Sequence, residues 1–87
     1  MLSAPEPGEE LFMYLSVSEH AVSAVLLRDW GVQQPVYYIR KTLVDAETRY
    51  LPLEKLVLAL MHATRKLPQY FQAYIVYVLT EHPYSHY

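Results

Sequence analysis

The sequence predicts a small α/β domain in which three strands precede one helix and a fourth strand follows it. Three observations carry that expectation. Residues 11–17 alternate, with Leu11, Met13, Leu15 and Val17 at the odd positions, which is the period of a strand. Leu53, Leu56, Val57, Leu60, Ala63 (or Thr64) and Leu67 recur at the three-and-four spacing of one helix face, a pattern read as core packing. Residues 74–79 are an unbroken apolar run, Tyr-Ile-Val-Tyr-Val-Leu, as expected of a strand covered on both faces within a parallel arrangement.

Each element has its own local signals. Residues 1–10 contain Pro5, Pro7, Gly8 and three glutamates, which sustain neither helix nor strand and read as a flexible leader. The even positions of the first strand drift from Phe12 and Tyr14 to Ser16 and Ser18, so its second face turns polar toward its end. Residues 20–28, rich in valine and alanine, form the second strand, and the short Ser18-Glu19-His20 link implies an antiparallel hairpin. Asp29-Trp30-Gly31 supplies the next turn, with Gly31 free to take positive φ. Residues 35–40 are the third strand, with Pro35 at its first position, where a missing N–H is tolerated. Pro52 fits the first helical turn and Pro68 ends the helix. A helix between two strands implies a right-handed crossover.

Bulk composition bounds the function. At 87 residues the chain is a single domain, and a domain this small hides only about 60% of its unfolded surface, so its stability margin is thin. The 53% hydrophobic content with 18% charged residues is globular rather than disordered. Nine tyrosines against two phenylalanines suggest half-buried rings with wet hydroxyls, as on a sheet face or an interface. A net charge of -2 gives no argument for nucleic-acid binding, which leaves only the local basic pairs Arg40-Lys41 and Arg65-Lys66. The absence of cysteine excludes disulfide stapling and thiolate metal sites. No apolar run approaches the roughly 18–20 residues of a membrane span, and the first residues lack a signal pattern. The expectation is an intracellular chain, neither secreted nor in a membrane.

Several motifs then stand in a fixed order: Leu15-Ser16-Val17-Ser18, Ser23-Ala24-Val25-Leu26, the stretch 35–43, Ala46-Glu47 with Tyr50, Glu54-Lys55-Leu56-Val57-Leu58-Ala59-Leu60, and Thr80-Glu81-His82. Together they resemble the ribonuclease H domain of gypsy-type LTR-retrotransposon reverse transcriptases, with wording close to a plant lineage. The resemblance runs ungapped over 35–82 and less tightly back to Tyr14. It implies a truncated ribonuclease H-like fold: three antiparallel strands, one helix, then a fourth strand parallel to the first, with 11–87 the N-terminal part of that domain. It also implies a reaction, hydrolysis of the RNA strand of an RNA-DNA hybrid by two Mg²⁺ about 4 Å apart.

Such ions need carboxylates converging from separate elements. The resemblance puts the family's first ligand at Ser16, its second at Leu56, its third at Glu81 and its fourth beyond Tyr87. Only Glu81 is acidic. Glu54 lies two residues from Leu56, about 200° around a helix, and Glu19 lies at an odd offset from Ser16, so neither is placed to substitute. The chain is therefore expected to hold no metal and to be a catalytically degenerate, connection-type domain that positions an RNA-DNA hybrid or DNA duplex beside the rest of a polyprotein. Arg40, Lys41, Arg65 and Lys66 are its candidate nucleic-acid contacts. The alternative is an active ribonuclease H. A third reading is an interaction module that self-associates through strand 74–79. His82 with His86, the lone His20 and His62, and Trp30 read as surface or packing residues.

Overall fold

The computed structural model describes residues 4–28 and 34–80. Seven elements follow in chain order: β1 (Leu11–Val17), β2 (Ala21–Leu27), β3 (Pro35–Thr42), a 3₁₀ turn (Glu47–Arg49), α1 (Pro52–Lys66), α2 (Pro68–Ala73) and β4 (Val76–Thr80). The sheet order is β3-β2-β1-β4. β1 pairs antiparallel with β2 and parallel with β4, so the helices form a crossover. This is the mixed α/β arrangement expected from the sequence. The turn at Asp29-Trp30-Gly31, along with Glu81, His82 and His86, lies outside the described residues.

Alternation in β1 fixes which side of the sheet is dry. Leu11, Met13 and Leu15 are buried, together with Val22, Ala24 and Leu26 of β2 and with Leu56, Ala59 and Ala63 of α1. Ala59 and Ala63 carry only methyl groups, which lets the helix backbone approach the strands closely. The 18–20 link closes as a hairpin, with the Ser18 N–H donating to the Ala21 carbonyl at 2.8 Å. Between β2 and β3 the register shifts at Leu26/Leu27, where Leu26 faces Tyr37 and Leu27 faces Pro35. Val36 is the extra residue of this bulge and is fully buried.

Three expectations need correction. First, the six-residue helical stripe does not lie against the core as one face. Leu56, Ala63 and Leu67 are buried, but Leu53 and Val57 are each 51% exposed and line an apolar surface groove with Tyr50, Leu58 and Met61. The period was right, but a stripe broader than the sheet can cover leaves one flank outside. Second, Pro68 ends α1 and also opens α2, because proline suits the first turn of a new helix. Leu67 is the break, with φ -129° and ψ 46°. Third, β4 is not covered on both faces. It lies at the sheet edge, begins at Val76 rather than Tyr74, and leaves Tyr77 and Val78 exposed.

Residues 4–10 carry no helix or strand, yet side-chain contacts hold them to the domain, the Tyr77 hydroxyl to Glu10 among them. Glu9 accepts two hydrogen bonds from Arg28, both at 3.0 Å, and Tyr74 donates its hydroxyl proton to the Pro5 carbonyl at 3.2 Å. Gly8 makes the intervening turn possible at φ 82°. Among the described residues no helix is long and apolar enough to cross a membrane.

The two helix flanks should respond differently to truncation. Leu56→Ala is expected to lower the unfolding free energy by about 2–5 kcal/mol. Val57→Ala, one residue along on the exposed flank, should cost under about 1 kcal/mol. Urea denaturation followed by circular dichroism measures both, and equal losses would contradict the assigned faces.

Candidate nucleic-acid interface

The face of the sheet opposite α1 is built from the even residues of β1. Phe12 stacks on Tyr77 with ring centroids 5.4 Å apart, and the Tyr77 hydroxyl donates to Glu10 at 2.9 Å. By accepting this hydrogen bond, and by its negative charge, the Glu10 carboxylate raises the Tyr77 pKa. Further along the same face, cross-strand pairing puts Ser16 opposite Ser23 and Ser23 opposite Arg40. The two serine hydroxyls are 2.7 Å apart. With Arg40 they line an open recess of about 100 Å³ at the end of the sheet. Arg40 donates one N–H to the Thr42 hydroxyl at 3.4 Å.

Of the candidate metal positions, the two described ones, Ser16 and Leu56, lie on opposite sides of β1. Ser16 is exposed on the open face, whereas Leu56 is 5% exposed and packed among the core residues on the other side of β1. Glu54 is occupied locally, accepting the Leu51 N–H at 2.8 Å and so capping α1. Glu19 is at the hairpin, 91% exposed and 3.7 Å from His20. Among the described residues no three histidines, aspartates or glutamates converge. A hydroxyl and an aliphatic chain do not suit a pair of hard divalent ions, which require several anionic oxygens.

The basic residues divide between the two sides. Arg40 belongs to the open face, while its neighbour Lys41 is held at 3.1 Å by Glu47. The Val44 N–H, followed by the Lys41 ammonium, holds the Glu47 carboxyl below the usual range. Arg65 and Lys66 are exposed in the last turn of α1, where cations complement the helix dipole. His62, one turn earlier, has its pKa lowered by burial first and then by the charges of Lys66, Lys41 and Arg65. These three cations therefore share one neighbourhood, separate from Arg40.

Lys55 is the important residue that sequence reasoning passed over. It is 8% exposed, and its ammonium donates to the Ser18 carbonyl at 3.1 Å and the Glu19 carbonyl at 3.2 Å. This clamps the start of α1 to the β1–β2 hairpin. A lysine between Glu54 and Leu56 carries no sequence signal for such a role, since its partners are main-chain atoms more than thirty residues away.

The family model for the RNase H-like domain found in reverse transcriptase matches residues 6–87. Among solved structures, the chain is similar to the foamy viral protease-reverse transcriptase in three complexes. With the dRH form on double-stranded DNA the TM-score is 0.79 at 22% identity, covering 91% of this chain and 14% of that one. With the RNA/DNA hybrid complex the TM-score is 0.79 at 22% identity, covering 91% and 11%. With a further double-stranded DNA complex the TM-score is 0.68 at 22% identity, covering 91% and 17%. The chain thus spans less than a fifth of each viral protein, and at this identity the likeness establishes the fold. No curated protein sequence matches it.

Two measurements test these local assignments. Lys55→Met keeps the buried stem but leaves the two hairpin carbonyls without their donor, and should cost about 1–3 kcal/mol in urea denaturation. For His62, the folded pKa lies below the unfolded value of 6.5. The unfolded chain therefore binds more protons just below that pH, and stability falls as pH drops through this window. The melting temperature of the parent should decrease more than that of His62→Gln when pH is lowered from above 6.5 to below it.

Proposed function

Given that the chain belongs to the RNase H-like domain family found in reverse transcriptase, we propose that it is a connection-type member that positions a nucleic-acid duplex without cutting it. The parent protein is a reverse transcriptase polyprotein of a gypsy-type retrotransposon, of plant lineage by the wording of its motifs. The observation that carries this reading is the burial of Leu56, 5% exposed among core residues at the position where the family resemblance puts a metal-binding glutamate. An aliphatic side chain there supplies no oxygen, and Ser16 supplies only a neutral one. Mg²⁺ therefore does not fit the residues present, and no hydrolytic step is assigned to them.

A duplex-positioning role is supported by the viral proteins of the same fold, which are complexed with double-stranded DNA or an RNA/DNA hybrid. Sequence-independent contact with a duplex needs exposed cations, since phosphate neutralisation supplies most non-specific affinity. Arg40, Arg65 and Lys66 are exposed, and none has a carboxylate partner among the described residues. Lys41 is the weaker candidate of the four, because Glu47 already holds it.

Incubation with a labelled RNA-DNA hybrid and Mg²⁺ or Mn²⁺ should yield no cleavage above a Glu81→Ala control. Calorimetric titration with Mg²⁺ should show no paired sites. Hybrid cleavage that disappears in Glu81→Ala would establish the active ribonuclease instead. In fluorescence anisotropy the intact chain should bind the hybrid, with an affinity that falls as salt rises and weakens in Arg65→Ala/Lys66→Ala.

A further inference from the structure

We infer that the recess formed by Ser16, Ser23 and Arg40 binds a phosphate group of the nucleic-acid backbone directly. The inference rests on the duplex-positioning reading and specifies one of its contacts. Three neighbouring strands contribute one donor each, in register: a hydroxyl from β1, a hydroxyl from β2 and a guanidinium from β3. Each hydroxyl has a single proton. In the Ser16–Ser23 contact one proton is used between the two oxygens at 2.7 Å, so the other is left to donate outward. Arg40 has five N–H donors, of which one reaches Thr42 at 3.4 Å.

The surroundings favour an anion. Among the described residues, no acid lines the recess. The other cations of the strands and their ends are committed, Arg28 to Glu9 and Lys41 to Glu47, whereas Arg40 has no carboxylate partner among the described residues. The recess measures about 100 Å³, several times the ~10–15 Å³ that a single water requires. It opens on the sheet face away from α1, where an extended backbone has access. A planar guanidinium beside hydroxyl donors is a recurrent way of holding phosphate oxygens.

The chemistry also explains why a serine is useful at this position. A carboxylate on β1 approaches a phosphate only through an intervening cation, since both are negative. A hydroxyl donates to the phosphate with no ion between them. With Ser16 where the family resemblance puts an acid, the site suits anions rather than cations, Arg40 supplying the charge. The structural alternative, a serine pair that merely joins two strands, requires no ligand.

The test is a titration of the ¹⁵N-labelled chain with inorganic phosphate at constant ionic strength, read by amide chemical shifts. Saturable shifts at Ser16, Ser23 and Arg40 are expected. Arg40→Ala should weaken binding about tenfold or more, and Ser16→Asp should abolish it, while the remaining amide pattern stays folded. Shifts that do not saturate, or that persist unchanged in both variants, would overturn the site. In hybrid binding, Arg40→Ala should lower the slope of log affinity against log salt by about one. Hybrid binding without these phosphate shifts would remove the site and leave the duplex-positioning role. Saturable phosphate shifts in a chain that binds no hybrid would do the reverse.

Discussion

The alternation of side chains along β1 is the constraint on which the rest of the molecule depends. Leu11, Met13 and Leu15 face α1 and are at most 4% exposed, and this row is the floor of the core. Among the described strands it alone pairs in both senses, antiparallel with β2 and parallel with β4. A shift of one residue would reverse both faces at once, exchanging leucines for Tyr14 and Ser16 under the helix. Burying those hydroxyls without partners would cost more than a small domain can spare. The register that buries Leu15 is therefore the one that displays Ser16 beside Ser23 and Arg40. Fold and proposed interface follow from the same period.

Leu56 links stability to function on the other side of that strand. Full burial of a leucine is worth about 1.5–3 kcal/mol, and a carboxylate in its place would need ions or donors to offset its desolvation. Nothing among the described residues could supply that compensation, since Glu54 caps the helix and Lys55 is turned to the Ser18 and Glu19 carbonyls. A domain with a thin stability margin gains from the leucine, and the gain depends on not holding metal. The apolar choice at Leu56 and the hydroxyl at Ser16 are consistent with one another. On the proposed reading, each puts an uncharged side chain where a carboxylate would need a divalent ion.

Much of this was legible in the sequence because it is written in period. Alternation marked β1, the valine-rich run marked β2, and leucine spacing marked α1 to within a residue of its observed end. Burial was less legible, because periodicity tells which residues share a face but not how wide a surface the sheet can cover. Val57 and Leu53 therefore read as core and stand outside it. Residues 74–79 failed for a related reason. An apolar run signals that a strand is hydrophobic on both sides, and Tyr77 is satisfied instead by stacking on Phe12 and bonding Glu10 at the sheet edge. The bulge at Val36 and the reach of Lys55 depend on long-range register and on main-chain acceptors, neither of which leaves a local signature.

Net charge was the least informative quantity, and the structure gives the reason. The chain is formally acidic at -2, yet four of its nine acids are engaged: Glu9 with Arg28, Glu47 with Lys41 and Val44, Glu10 with Tyr77, and Glu54 with the start of α1. Those contacts hold the Glu9 and Glu47 carboxyls below the ordinary range, with the Arg28 hydrogen bond and the Val44 N–H as the respective main causes. These four acids thus hold the sheet margins and helix ends together. Arg40 on one face, and Arg65 and Lys66 on the other, have no such partners among the described residues. A polyanion approaching within a Debye length of about 8–10 Å responds to these local fields rather than to the formal sum. The distribution that stabilises the fold is therefore also the one that leaves cations exposed on two separate faces.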